Sequence, residues 1–368
     1  MTGRGGGLAP TAPRRGPHDE LPARLGPLAR SHLHFGSMSR DEAGLAYERL
    51  ADTKRPIEAM RFVVVGAYVA DCFVSTPRLP AWGDVYQAQS IRTSAGGKAL
   101  NQAVALARLG AQVTAVGVVG SDGLGRDVLA TLAREAIDTS GMQTRENAPT
   151  SICLCFVDQG QTSFVGHVAD EVAVAPDDLR AAGTAIQQAD AVLLTFELPV
   201  PTIRETISTA RRYGVRVFVQ PAPPLADANA GASLPWGEVD VLVPNETEAR
   251  ALLDARRERG ELPPEALVGA LAAELAVPTV VVTLGASGCV IHNAGATYRY
   301  RARRAPAVDA TGASDAFTAT VTAYLTAGAS LADALRAAQA AAAVAVSRPG
   351  GHESMPYHAE LIASRHSD

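Results

Sequence analysis

The sequence contains no run of about 18 apolar residues, the length a helix needs to cross a bilayer, so nothing in it points to a membrane span. Cysteine is scarce: Cys72, Cys153, Cys155 and Cys289 are the only four in 368 residues. Their spacing fits neither a zinc site nor the dense disulfide framework of a small secreted domain. Cys153 and Cys155 stand two apart in an apolar run, which on a strand puts both on one face as packing residues. No histidine adjoins any cysteine to make a catalytic thiol. Positive charge is also lacking. A formal net charge of -5 argues against a nucleic-acid partner, which needs a concentrated basic surface. The arginines at 211–212, 256–257, 301 and 303–304 sit among acidic or turn residues, as on a solvated face. No apolar signal core precedes a cleavage site near the start, and the expected compartment is the cytoplasm.

What is present is a globular composition, 47% hydrophobic and 19% charged, enough to bury a sizeable core without disulfides. Residues 1 to 37 are rich in Gly, Pro and Arg and carry no period, so a disordered tail is expected there. Ser39 and Glu42 form a capping-box pattern ahead of Leu45, Ala46 and Leu50, which predicts a short helix over 39–50. Residues 1–59 therefore read as an extension and 60–368 as the globular domain.

From Arg61 onward, Val-rich runs alternate with Leu- and Ala-rich helical stretches. Strands are expected at 62–65, 113–118, 191–195, 216–220, 239–243 and 280–283, and helices at 101–109, 124–135, 203–213 and 331–346. Continuous apolar strands between helices imply an α/β fold, with a mostly parallel sheet covered on both faces. Residues 72–92 and 151–172 break this rhythm. Their mixed pattern predicts short antiparallel strands forming a small lid over the carboxyl ends of the main strands, where α/β sheets bind ligands.

Four segments carry candidate chemistry. In the first, Asp309, Ala310, Thr311, Gly312, Ala313, Ser314 and Asp315 lead into a helical run over 316–325. A helix start offers unpaired N–H groups to an anion, and the small residues let a phosphoryl group approach. Asp315 could accept a proton from a hydroxyl there, although on this segment alone a simple cap is the stronger reading. In the second, Gly96, Gly97, Lys98 and Asn101 form a Gly-Gly turn opening a helix, suited to a polyol but lacking P-loop spacing. In the third, Asn245 and Glu248 follow an apolar strand and suit either a hydrated Mg²⁺ or an N-cap pair. The fourth, Thr283, Leu284, Gly285, Ala286, Ser287 and Gly288, offers hydroxyls and backbone to nucleotide phosphates, or is merely a strand exit.

The order and spacing of these segments resemble the ribokinase-like (PfkB) family of carbohydrate kinases from about Met60 to the end. The resemblance implies a three-layer α/β/α fold with a β lid, and an ATP-dependent sugar kinase taking ribose to ribose 5-phosphate as first choice. Asp315 would be the base, with the amides of Gly312, Ala313, Ser314 and Asp315 as anion hole. Asp71, Gly97, Lys98, Asn101 and Glu197 would hold the sugar. Asn245, Thr283, Leu284, Gly285, Ala286, Ser287, Gly288, Ser314 and Gln339 would bind ATP. Glu248 would reach Mg²⁺ through water, and Asp309, Thr311, Ala345, Arg348, Gly350 and Ser354 would hold a monovalent cation, K⁺, mostly through carbonyls. A homodimer through the lid is a further implication. Three residues depart from the family pattern: Ser314 for Gly, Ala310 for Thr and Val69 for Asn. The last removes an amide from the sugar side, so another substrate stays open. A nucleoside kinase would need a base pocket, for which Phe164, Phe196 and Trp82 are candidates although aromatics are only 5% of the chain. A catalytically weak sugar-binding regulator on the same fold is the other alternative.

Overall fold

The computed structural model describes residues 53–158, 161–225, 227–254 and 262–363. The tail expected over 1–37 and the helix expected over 39–50 lie outside the described residues.

The chain runs through β1 (Arg61–Val65), β2 (Val69–Ser75), β3 (Ser90–Gly96), α1 (Lys98–Arg108), β4 (Gln112–Gly120), α2 (Gly123–Arg134) and β5 (Asp138–Arg145). Next come β6 (Ile152–Asp158), β7 (Gln161–His167), α3 (Pro176–Ala181), α4 (Gly183–Gln188), β8 (Ala191–Thr195), α5 (Val200–Arg212) and β9 (Arg216–Gln220). The remainder is α6 (Ala228–Ala232), β10 (Val241–Leu242), α7 (Glu246–Asp254), α8 (Pro264–Leu275), β11 (Thr279–Thr283), β12 (Cys289–Asn293), β13 (Ala296–Tyr300), α9 (Ala313–Thr326), α10 (Leu331–Val346) and α11 (His358–Ala363).

Nine strands form the main sheet in the order β13-β12-β11-β10-β9-β8-β1-β4-β5, parallel from β11 to β5. The apolar strands are buried because alternate residues serve two cores. Phe62 and Val64 of β1 join one cluster with α1, α9 and α10, while Val63 and Val65 join the other with α5 and α8. Helices thus cover both faces, as the expected three-layer architecture requires. Among the described residues no helix is long and apolar enough to cross a membrane.

Three readings of the sequence need correction. The strand expected at 239–243 shrinks to Val241–Leu242, because Trp236–Glu238 form a 3₁₀ turn that runs up to Val239. Strands β5, β12 and β13 went unread: β5 and β13 are the sheet edges, which leave side chains in water, and β12 beside one of them carries an apolar run of only three residues, 289–291. β12 and β13 are antiparallel and join through Ala294 (φ 50°) and Gly295 (φ 80°), the two left-handed residues of a tight hairpin. The lid is a separate four-stranded sheet, β3-β2-β6-β7, and its central pair β2–β6 is parallel rather than antiparallel. Parallel partners need a long crossover, and the excursion through α1, β4, α2 and β5 supplies it. Within the expected lid segments, 76–89 hold no strand and Asp170–Val172 are a 3₁₀ turn whose Val172 packs into the main core.

One aspartate ties lid to body. Asp122 caps α2 by accepting from the Gly125 N–H (2.8 Å), and it also accepts from the N–H (2.9 Å) and hydroxyl (2.6 Å) of Thr150, just ahead of β6. Asp122→Ala should lower the free energy of unfolding by about 1–2 kcal/mol, the cost of a lost cap, in urea denaturation. Unchanged stability would show that the cap and the Thr150 contacts contribute nothing.

Candidate active site

Two helix starts meet under the lid. α1 begins at Gly97 and α9 at Gly312, and both glycines have positive φ (94° and 77°), which L side chains rarely adopt. A Cβ on Gly312 would also come within 2.6 Å of Met355 Cε. Small residues at this crossing let α1 and α9 pack closely, and Asn101 on α1 donates from Nδ2 to Asp315 Oδ2 on α9 at 2.8 Å. Asp315 is only 2% exposed. Its other oxygen, Oδ1, is buried without a protein partner, as is Asn101 Oδ1. Buried polar atoms are normally paired, so two orphans side by side mark a place that takes a polar ligand.

The lid closes this place from above. Asp71 on β2 and Glu197, just past β8, face the same crossing, and Glu197 Oε2 accepts from the Lys98 N–H at 3.3 Å. Burial pushes Asp71 up to about 7, with Glu353 and Asp315 adding to it and the Gly97 N–H opposing. Burial likewise takes Glu197 to about 7 against the pull of Lys98. Asp315 is raised by burial too, opposed by Lys98 and by the amides of Asn101, Gln220 and Gln102. Burial alone would lower the Lys98 ammonium, but Asp315, Glu197 and Glu248 around it together hold it above its ordinary value. One cation among several acids, all desolvated, suits an uncharged polyol whose hydroxyls donate to carboxylates.

On the other side of the α9 start lies a cavity of about 620 Å³. Asn245, Thr283, Gly285, Ala286, Gly288, Ala313, Ser314 and Gln339 line it, so the structure gathers these predicted residues from five separate elements and loops. Leu284 and Ser287 are not among its lining residues. Alanines at 302, 305, 307, 342 and 343 give it flat apolar walls, and Arg303 and Arg304 bring positive charge to it. Such a slot suits a planar base and an anionic tail.

Asn245 and Glu248 form the capping pair outright. The Asn245 N–H and Nδ2 donate to the two Glu248 oxygens (2.8 and 2.7 Å), and Asn245 Oδ1 accepts from the Glu248 N–H (2.8 Å). With both oxygens engaged, Glu248 suits contact with a hydrated cation through water rather than direct ligation. Burial raises its pKa, with Asp315 adding a smaller push.

Behind the turn at 312–315, Asp309 is buried and accepts from the N–H of Thr311 and of Gly350, both at 2.9 Å, which brings two segments of the predicted cation site together. Thr311 Oγ1 is buried without a partner. Arg348 extends away to pair with Glu360, and Ser354 Oγ donates to the Gly351 carbonyl at 2.8 Å. Ala345 accepts from the Arg348 N–H at 3.1 Å, closing the end of α10.

Some polar residues here gave no signal as members of a motif. Gln102 donates to Gln220, and Gln220 Nε2 donates to Ser314 Oγ at 3.1 Å, so a chain of amides braces the departure from glycine at 314. A glutamine closing the apolar run 217–219 was the visible clue. His352, bonded to the Ala95 carbonyl at 2.9 Å, and Glu353, bonded to Arg92 and Ser94, lock the lid onto the body. Of the aromatic candidates, Phe196 is committed to the core against Trp236 at 5.9 Å, and Trp82 stands fully exposed outside any strand. Phe164 alone lies on the lid's inner face, in register with Cys155, and is 53% exposed.

This arrangement has close parallels. The chain is 31% identical to the ribokinase of Mus musculus over 83% of its own length and 94% of that protein. It is 29% identical to the ribokinase of Haemophilus influenzae, over 81% and 96%. The structure of Arabidopsis thaliana ribokinase complexed with ribose and ATP superimposes with a TM-score of 0.70 at 28% identity, covering 84% of this chain and all of that one. The sequence pattern of the pfkB family carbohydrate kinases matches residues 60–357. The chain therefore belongs to the pfkB family of carbohydrate kinases, phosphotransferases with an alcohol acceptor.

Proposed function

We propose that the protein transfers the γ-phosphoryl group of ATP to the primary hydroxyl of a pentose, with ribose as first choice. The observation that carries this is the position of Asp315. Its free Oδ1 and the Asn101 amide face the carboxylate-lined pocket, while the turn it follows lines the 620 Å³ cavity. The pentose occupies the first and the nucleotide the second, which is the pair of ligands present in the Arabidopsis thaliana structure.

Asp71 and Asn101 take hydroxyls of the sugar, with Lys98 and Glu197 closing the pocket. Asp315 takes the proton of the attacking hydroxyl as that oxygen bonds to phosphorus. The N–H groups of Gly312, Ala313, Ser314 and Asp315 stabilise the charge on the migrating group. Positioning and electrostatics supply most of the acceleration, with little covalent chemistry asked of the protein. Ser314 keeps the turn open because its hydroxyl is turned to Gln220 rather than into the hole. Glu248, with its carboxylate held by Asn245, would hold Mg²⁺ through water, and the ion would neutralise phosphate charge. The orphan Thr311 hydroxyl and the buried Asp309 suit a monovalent cation such as K⁺, which would stiffen the anion-hole turn. Apolar Ile91, Ile152, Leu154 and Val165 are exposed on the lid's outer face and support pairing of two copies through their lids.

Coupled ADP release measured across pentoses, hexoses and nucleosides, with and without K⁺, tests the substrate; a preference for nucleosides would overturn the pentose reading. Asp315→Asn should cut kcat by about 10²–10⁴, the usual contribution of a general base, while sparing ATP binding. Turnover near that of the unsubstituted chain would remove Asp315 from the proton transfer.

The raised carboxyls also set a pH signature. Folded pKa values near 7 for Asp71 and Glu197 exceed the ordinary 3.8 and 4.5. The folded form therefore holds more protons than the unfolded one between about pH 4 and 7. Stability from their neutral forms is full below that window and falls as pH rises through it, by up to about 1.4 kcal/mol per unit for each group. Asp71→Asn should flatten this fall in denaturant unfolding compared between pH 4.5 and pH 7.5. Equal slopes in both proteins would mean Asp71 is an ordinary ionised acid.

A further inference from the structure

The lid's inner face carries side chains that the proposed transfer leaves unused. Asp71 on β2 is in register with Cys153 on β6, and Cys155 stands two residues farther along the same strand, so all three share a face. A carboxylate oxygen and the two sulfurs all lie within 4.8 Å of one another. The sulfurs are 3.9 Å apart. That is far beyond a disulfide bond of about 2.05 Å. It is close to the ~3.8 Å edge between two thiolates on a tetrahedral ion with metal–sulfur bonds of about 2.3 Å.

Surroundings and chemistry agree with that spacing. Asp71 and Cys155 are buried, whereas Cys153 is half-buried, so an ion can reach the group through it. The contact between the two sulfurs holds Cys153 below its ordinary pKa, with help from Lys98, and together with burial pushes Cys155 above its own, so Cys153 gives up its proton first and Cys155 only to the arriving ion. Both sulfurs otherwise make only long contacts of 3.8–3.9 Å.

We propose that Asp71, Cys153 and Cys155 form a site for a soft divalent cation of the zinc and cadmium class, and that its occupation closes the acceptor side of the cleft. The second half rests on the reading of Asp71 as a sugar ligand. Binding releases two thiol protons to solvent, and the carboxyl proton where Asp71 carries one; no electron moves. Two thiolates and one carboxylate leave the ion one negative charge in excess, beside the Lys98 ammonium. The fourth position, facing the cleft, takes water. Mg²⁺ and K⁺ prefer oxygen ligands and do not compete for the sulfurs.

The test is titration of the chelator-treated full chain with Cd²⁺, read by the ultraviolet thiolate-to-cadmium charge-transfer band. One equivalent should saturate it, and Cd²⁺ should protect Cys153 from iodoacetamide in the unsubstituted chain. Outer partners of a metal ligand alone are worth 10–100-fold, so the Cys153→Ser, Cys155→Ser double variant should lose at least about 100-fold in affinity. Cys72→Ser, on the opposite face of β2, should keep the band. No band in the unsubstituted chain, or one that survives the double substitution, would overturn the site. Excess of the sugar that turns over best in the ADP-release panel should displace the ion, and a band that persists would overturn the blocking role while the metal site stands. The band is readable whether or not ribose is a substrate, so failure of the pentose reading and failure of the metal site are distinguishable.

Discussion

The bond between Asn101 and Asp315 joins residues 214 positions apart, and most of the site is arranged around it. It exists because two helices start at the same point, each from a glycine in left-handed backbone. Close approach there brings a carboxylate, an amide and the N–H groups of two helix starts together. A desolvated carboxylate is costly, and the nearby Lys98, Asn101 and Gln220 offset that cost in part. An acid held above its ordinary pKa is a better proton acceptor than a solvated one, which is the property the proposed transfer asks of Asp315.

Much of this was legible in the sequence, for definite reasons. Val-rich runs such as 191–195 and 216–220 could be buried only between two helical layers, and their bounds match the strands found. Small residues before a helix fixed the turn at 312–315. The edge strand β5 was not legible, because Asp138, Thr139 and Ser140 face water and break the apolar signal. The parallel pairing of β2 with β6 was hidden for another reason. Pairing direction depends on how the intervening chain returns, and no local residue pattern encodes it.

Residues with two possible uses stayed ambiguous until their neighbours were known. Asn245 and Glu248 were equally a helix cap and a cation contact, and they form the cap completely while Asn245 also lines the 620 Å³ cavity. Phe196 could have stacked on a base, but Trp236 claims it for the core. Cys153 and Cys155 read as packing residues because strand alternation says which face they share, not what that face meets. Asp71 across the register is what adds the proposed second use to that packing.

The lid leaves the body in two excursions, through β2–β3 and through β6–β7, yet both cross the same narrow seam. There Ala70 N–H donates to the Ser151 carbonyl at 2.9 Å, and Ser151 Oγ accepts from the Ala169 N–H at 3.0 Å. The ends of all four lid strands meet along this one line. Any tilt of the lid therefore carries Asp71 and both inner thiols as a rigid plate, trading their approach to Asp315 against the Arg92 and Ser94 latch on Glu353.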